Sequence, residues 1–200
     1  MRILLTFFII LMQSQFAFSQ NTMFDVCPIK IGAELPEVTV TNEDNEQQTI
    51  ATLTAEKPTI LVFYRGAWCG YCTKHLAELN DAKNEIETLG FNIIGITIDQ
   101  ADKITESYEK ATDEIKVYSD NKAEAVKAFG LDWKVDDATF EKYVNSYNLN
   151  LEEWSGEKHH VLPVPAVFII KEGVVEYSYV NPNYNTRLKT ETLLAILKTM

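Results

Sequence analysis

Arginine is almost missing from this 200-residue chain: Arg2, Arg65 and Arg187 are its whole complement. With a formal net charge of −11, the surface is acidic and poor in the guanidinium groups that grip phosphate. That balance argues against nucleic acid or anionic lipid as a partner and fits a soluble protein. Cysteine is scarce too. Cys27, Cys69 and Cys72 are too few for the disulfide framework of a small secreted scaffold. No repeat, low-complexity tract or Pro/Gly/Ser-rich linker divides the sequence, so residues 20–200 are expected to form one domain. The apolar stretch Ile3–Met12 is shorter than the ~20 residues that span a bilayer. Preceded by Arg2 and followed by Ala17-Phe18-Ser19, it has the form of a secretory signal peptide, residues 1–19, cleaved after Ser19. The mature protein is expected to be exported, periplasmic or extracellular, with no membrane insertion after cleavage.

The hydrophobic pattern alternates between strand and helix. Glu37–Thr41 and Gln48–Leu53 flank the polar turn Asn42–Asn45 and read as an N-terminal β-hairpin. Thr59–Tyr64 is apolar on both faces, as a central strand is. Leu76, Leu79, Ala82, Ile86 and Leu89 recur at helical spacing until Gly90 stops the helix, and Phe91–Ile98 is a second buried strand. Asp99 is expected to cap the next helix, whose inner stripe is Ile104, Tyr108, Ala111 and Ile115. A short strand, Lys116–Ser119, and a short helix, Lys122–Phe129, follow. Residues 131–160 fit no regular βα unit; rich in aromatics, they read as an irregular helical insertion. Ala166–Ile170 and Val174–Val180 form a hairpin across Lys171-Glu172-Gly173, and a last helix starts near Thr190. The sum is an α/β fold with a mixed central sheet flanked by helices.

The chemistry concentrates in Trp68-Cys69-Gly70-Tyr71-Cys72, where a strand feeds a helix. Two thiols three residues apart can close a disulfide across one helical turn. The first sits where unpaired N–H groups and the helix dipole favour an anion, and the thiolate is the form that attacks peroxides and disulfides.

Tyr64-Arg65-Gly66-Ala67-Trp68-Cys69-Gly70-Tyr71-Cys72 resembles the thioredoxin superfamily. More narrowly it is similar to the peroxiredoxin-like branch of the AhpC/TSA (alkyl hydroperoxide reductase/thiol-specific antioxidant) family, which carries an Arg-Gly-x-Trp-Cys-x-Tyr-Cys signature. Val164-Pro165-Ala166 and Val180–Arg187 support the likeness, which runs from about Ile31 to the C-terminus. The resemblance implies a thioredoxin-like fold, Cys69 as attacking and Cys72 as resolving thiol, and a cis Val164–Pro165 bond facing them, with the insertion before that strand. Pro163 competes for the cis bond, and a trans proline opening an ordinary strand is the alternative. The sequence also departs from the pattern. Peroxiredoxins place proline and threonine seven and three residues before the attacking cysteine, where Val62 and Gly66 stand; no arginine lies between Arg65 and Arg187 to serve as their second, later one. Thioredoxins keep a buried aspartate where this chain has Phe63.

Arg65 favours the thiolate or holds a peroxide oxygen, unless it only bridges to an acid at the strand end. Trp68 and Tyr71 read as packing beside the disulfide. Cys27 reads as a buried structural or incidental thiol, an intermolecular link or an auxiliary resolving thiol. Haem attachment would need histidine directly after Cys72, where Thr73 stands. A zinc site from Cys69, Cys72, His159 and His160 lacks the tight knuckle spacing of structural zinc. No cofactor or metal is implied. His159 and His160 either line the cleft or sit on a surface loop. Three functions fit: an antioxidant thiol peroxidase, a disulfide reductase or isomerase of exported proteins, and a redox-inert interaction module working through the 131–160 aromatics. The two redox readings act on a peroxide or a protein disulfide and need an upstream thiol reductant, membrane-coupled for an exported enzyme.

Overall fold

A computed structural model describes residues 22–105 and 115–200. The expected signal peptide, residues 1–19, and Tyr108 and Ala111 of the expected stripe lie outside the described residues. Strands β1 (Thr39–Thr41) and β2 (Gln47–Thr49) form the N-terminal hairpin, and helix α1 (Ile50–Leu53) follows directly. Thr49 caps α1 by accepting from the Thr52 N–H. Then come β3 (Thr59–Tyr64), α2 (Gly70–Asp81), α3 (Lys83–Thr88), β4 (Asn92–Thr97), β5 (Lys116–Ser119) and α4 (Glu124–Ala128). The insertion holds β6 (Asp132–Lys134), α5 (Asp137–Tyr147), α6 (Leu151–Ser155) and β7 (Val161–Pro163); β8 (Ala166–Lys171), β9 (Val174–Val180) and α7 (Thr190–Leu197) close the chain. Among the described residues no helix is long and apolar enough to cross a membrane.

Seven strands form one mixed sheet in the order β2-β1-β5-β4-β3-β8-β9. β3, β4 and β5 run parallel; β8 lies antiparallel to β3 and β9 antiparallel to β8. Every residue of β3 is buried because both faces of the sheet are covered. Ile60, Val62 and Tyr64 face α2, α3 and α7 through Leu76, Leu79, Ile86, Leu193 and Leu197. Leu61 and Phe63 face the other way, into a layer with Phe129 and Phe168 that includes α4 and the insertion. Period-two alternation thus assigns β3 one side chain to each helical layer.

Three local expectations are corrected. The expected single helix after the cysteines is two, broken at Ala82, whose N–H bonds the Leu79 carbonyl in a tighter i→i−3 turn. Among the described residues Asp99 is not a helix cap: the chain makes a 3₁₀ turn, Ala101–Lys103, with Gln100 at its cap position. The cis Val164–Pro165 bond is absent, since every peptide bond among the described residues is trans. The Val164 N–H donates to the Leu131 carbonyl (2.8 Å) and the Pro165 carbonyl accepts from the Asn181 N–H (3.3 Å), so the chain passes extended from β7 into β8. The small intrinsic preference of X–Pro for trans is left in force.

The insertion is more regular than its sequence suggested. Asp136 caps α5 by accepting from the Thr139 N–H, and Asn150 caps α6 likewise from Glu152. β6 and β7 form a two-stranded antiparallel ribbon.

Candidate active site

The sheet register brings four distant segments to one end of the molecule. Tyr64 at the end of β3 pairs with Thr97 at the end of β4, and Phe63 pairs with Ala166 at the start of β8. Ala166 in turn pairs with Val180, the last residue of β9. Residues 65–69, 98–100, 163–165 and 181–187 therefore emerge together, beyond the carboxyl ends of the parallel strands.

Cys69 is the N-cap residue of α2, and no side-chain oxygen occupies that cap. Its sulfur stands at the positive end of the helix. The two thiols are unbonded and 2.6 Å apart, with Cys72 Sγ donating to Cys69 Sγ. This hydrogen bond draws the Cys69 thiol down to about 6; burial opposes it, and Arg65, the Cys72 N–H and Arg187 assist. Cys72 is pushed the other way, first by burial and then by the same bond to Cys69. One sulfur is thus held as an anion and the other as a thiol. Cys69 keeps 5% of its surface open and Cys72 1%, so the acidic sulfur is the more accessible of the two.

Arg65 is buried, at 5% exposure, yet forms no ion pair among the described residues. Its guanidinium lies against two aromatic rings, 4.9 Å from the Trp68 centroid and 4.5 Å from that of Tyr184. Of the two readings of Arg65, the bridge to an acid is not formed among the described residues, and the positive charge helps to lower the Cys69 thiol. Trp68 is therefore a plate for Arg65 as well as packing beside the thiols. Tyr71 is exposed, its ring edge-on to Tyr184 at 6.1 Å.

Arg187 is the site residue that sequence reasoning missed. Its Nη2 lies 3.3 Å from Cys72 Sγ, and its Nη1 donates to the Tyr184 and Thr186 carbonyls. A second, later arginine is present after all, delivered by the segment that follows β9. The scarcity of arginine was the available signal: besides Arg2 only two exist, and both stand at the thiols. His75, one turn beyond Cys72, pairs Nε2 with the Leu188 carbonyl at 3.1 Å and fastens that segment to α2. Burial, then Arg187, pushes its pKa down to about 4, so it stays neutral. Pro165 lies between the two arginines, lining one small cavity with Arg65 and another with Arg187.

Residues 31–178 match the AhpC/TSA family. The chain belongs to that family. It is 26% identical over 104 residues to a putative peroxiredoxin bcp of Haemophilus influenzae, and 25% over 104 residues to peroxiredoxin Bcp of Escherichia coli K12. Each match covers 52% of this chain, which spans only 66% of the length of either relative. Among solved structures, reduced Prx3 of Vibrio vulnificus in complex with hydrogen peroxide superposes with a TM-score of 0.70 at 20% identity, covering 85% of this chain and 96% of that one. Peroxidoxin BcpB of Mycobacterium tuberculosis gives 0.67 at 16% identity, covering 86% and 98%. These neighbours share the thioredoxin-like fold.

The structure explains why position 66 holds glycine, where the peroxiredoxin pattern has threonine. A Cβ there would stand 2.2 Å from Trp68 Nε1 and 2.7 Å from Asp99 Oδ1, on backbone with φ +156°. Trp68 and Asp99 occupy the space a threonine would need. Asp99, fully buried, accepts the Ala67 N–H through Oδ2 at 2.7 Å and so fixes the turn ahead of Cys69.

His159 and His160 sit half-buried on the loop between α6 and β7, as the second of the two readings had it. His159 joins the Asn121 carbonyl (2.8 Å) and accepts the Val161 N–H, while His160 stacks on Phe140 at 3.9 Å and meets Glu152 Oε1 at 2.9 Å. Both brace the insertion. Cys27 is exposed rather than buried, and its carbonyl, not its sulfur, packs against Gly130.

Proposed function

We propose that this chain is a thiol peroxidase working through Cys69 and Cys72. The Cys69 thiolate attacks the distal peroxide oxygen; the O–O bond breaks, the sulfur becomes a sulfenic acid, and the departing alkoxide or hydroxide takes a proton to leave as alcohol or water. The Cys72 thiol then condenses with the sulfenic acid, forming the disulfide and releasing water. An external dithiol reduces the disulfide and is itself oxidised. One observation carries the reading: a thiol drawn down to about 6 lies 2.6 Å from a partner held protonated. Arg65 and Arg187 supply the positive charge that steadies the thiolate and the departing oxygen.

Attack on protein disulfides uses the same two sulfurs, and the CxxC spacing favours it. Access opposes it. Thiol–disulfide exchange needs one sulfur to approach another. With Cys69 only 5% exposed, a molecule the size of hydrogen peroxide reaches it far more readily than a disulfide on a folded protein. The signal-like residues 1–19 support export, and an exported peroxidase needs a thiol relay from the membrane for its electrons.

Stopped-flow mixing of the reduced protein with hydrogen peroxide, and separately with a mixed-disulfide peptide, tests this. Peroxide oxidation no faster than that of a free thiol overturns the peroxidase. Rapid reaction with the peptide alone installs the disulfide reductase in its place.

A further inference from the structure

The insertion is hydrogen-bonded to the Arg65 guanidinium through one side chain, Tyr143. Arg65 is held on its faces by Trp68 and Tyr184, but a cation against aromatic faces is free to slide and turn. What stops it lies at its edge: Nη2 donates to the phenolic oxygen of Tyr143 at 3.1 Å, across 78 residues of sequence. The Nε–H is buried with no acceptor, so this is the one hydrogen bond of the side chain among the described residues.

Helix α5 is built to present that oxygen. None of its residues is buried, so it adds little core of its own. Phe140 and Tyr143, three apart, share a face. Phe140 stacks on His160, which Glu152 of α6 holds, and Tyr143 extends beyond it to Arg65. Tyr147, one turn further, is exposed, and its ring meets Tyr143 and Lys142 of its own helix.

We propose that Tyr143 is a positioning residue for Arg65, and that the 131–160 insertion serves the thiol site by anchoring the guanidinium in register with Cys69. Without the phenolic oxygen, two buried N–H edges would lack acceptors, and the guanidinium would turn toward water, taking its charge from the sulfur.

The test is Tyr143→Phe, which keeps the ring and removes the oxygen, with Tyr147→Phe as control. Thiolate absorbance against pH is expected to show the Cys69 midpoint rising in Tyr143→Phe alone. The rate constant with hydrogen peroxide at pH 6 should fall about threefold to tenfold, with the melting temperature little changed. In an Arg65→Met background the same substitution should have no further effect. An unchanged midpoint in Tyr143→Phe, or an equal shift in the Arg65→Met background, overturns the proposal. The rate arm rests on the peroxidase reading and the titration arm does not. A shifted midpoint in a protein inert to peroxide would therefore sink that reading and leave this one standing.

Discussion

Placing a threonine at position 66 should damage this protein. A Cβ on Gly66 would lie 2.2 Å from Trp68 Nε1 and 2.8 Å from Trp68 Cδ1, where real contacts stay above 3.0 Å. Neither neighbour yields easily. The indole is backed by the Arg65 guanidinium at 4.9 Å, and the Asp99 carboxylate is pinned by the Ala67 N–H at 2.7 Å. Forcing a side chain into a filled site costs about 1–3 kcal/mol, and holding it in sparsely populated backbone adds about 1–3 kcal/mol. Gly66→Thr should thus lose about 2–6 kcal/mol, a large part of the roughly 5–15 kcal/mol available to a domain. Equilibrium urea unfolding with the thiols kept reduced reads this directly. At about 1–3 kcal/mol per molar urea, the midpoint should fall by about 1 M or more. The displaced turn carries Cys69, so peroxide reactivity should fall as well. Gly66→Ala combined with Trp68→Leu should recover only the part of the loss due to the indole, leaving the Asp99 contact at 2.7 Å and the backbone part. A Gly66→Thr variant as stable as the parent and faster with peroxide would show that the glycine is incidental.

Cys72→Ala removes the hydrogen bond that does most to acidify Cys69, so the Cys69 midpoint should climb from about 6 toward the ordinary thiol range, whereas Cys72→Ser, keeping a donor, should climb less; thiolate absorbance against pH separates them. Because the thiolate is the reactive form, the peroxide rate of the parent should rise with pH to half its maximum near 6 and flatten above 7. Burial raises the Asp120 carboxyl from 3.8 to about 6, so the native state holds a proton that the unfolded chain has released, and stability should fall as pH rises between about 4 and 6. Asp120→Asn should remove up to about 3 kcal/mol of that slope, read from urea midpoints at pH 4 and 7; equal slopes in both proteins would refute it. Arg65 favours the reduced, thiolate form, so Arg65→Met should make the Cys69–Cys72 couple more reducing by about 20–30 mV against a glutathione buffer, and a potential that stays put or rises would count against that charge.

The strands were legible because each buried run carries its own boundaries. Thr59–Tyr64 and Lys116–Ser119 stand where the apolar pattern put them, and the β8–β9 hairpin turns through Glu172 and Gly173, both at positive φ as a two-residue hairpin loop requires. The thiol pair was legible for the same reason: strand, turn and helix are adjacent in sequence. What failed was competition between two roles for one residue type. Asp99 has the chemistry of a helix cap, and only the parallel pairing of β3 with β4 shows that an N–H in the 66–69 turn is nearer. Arg187 was invisible as a site residue because 115 positions separate it from Cys72, and the register of β9 against β8 brings it back. The helices of the insertion did leave a signal. Asp136 and Asn150 are good N-caps, overlooked among aromatics that suggested irregularity.

The opening scarcity and the site have one physical cause. A lysine at position 65 would put a compact, strongly hydrated charge between two aromatic faces, with no plane to lay against them and no fork to reach Tyr143. At position 187 a lysine could not meet a sulfur on one nitrogen and two carbonyls on another. Elsewhere cations meet acids at the surface, as Lys74 does with Glu78 and Lys198 with Glu85, where a flexible ammonium serves and each pair contributes about 0–1 kcal/mol. A chain otherwise supplied with lysine therefore keeps arginine where planarity is required. Burying such a cation without a carboxylate is costly unless an anion answers it. Beside Arg65 that anion is the Cys69 thiolate, so the charge that acidifies the sulfur and the sulfur that steadies the charge are one interaction.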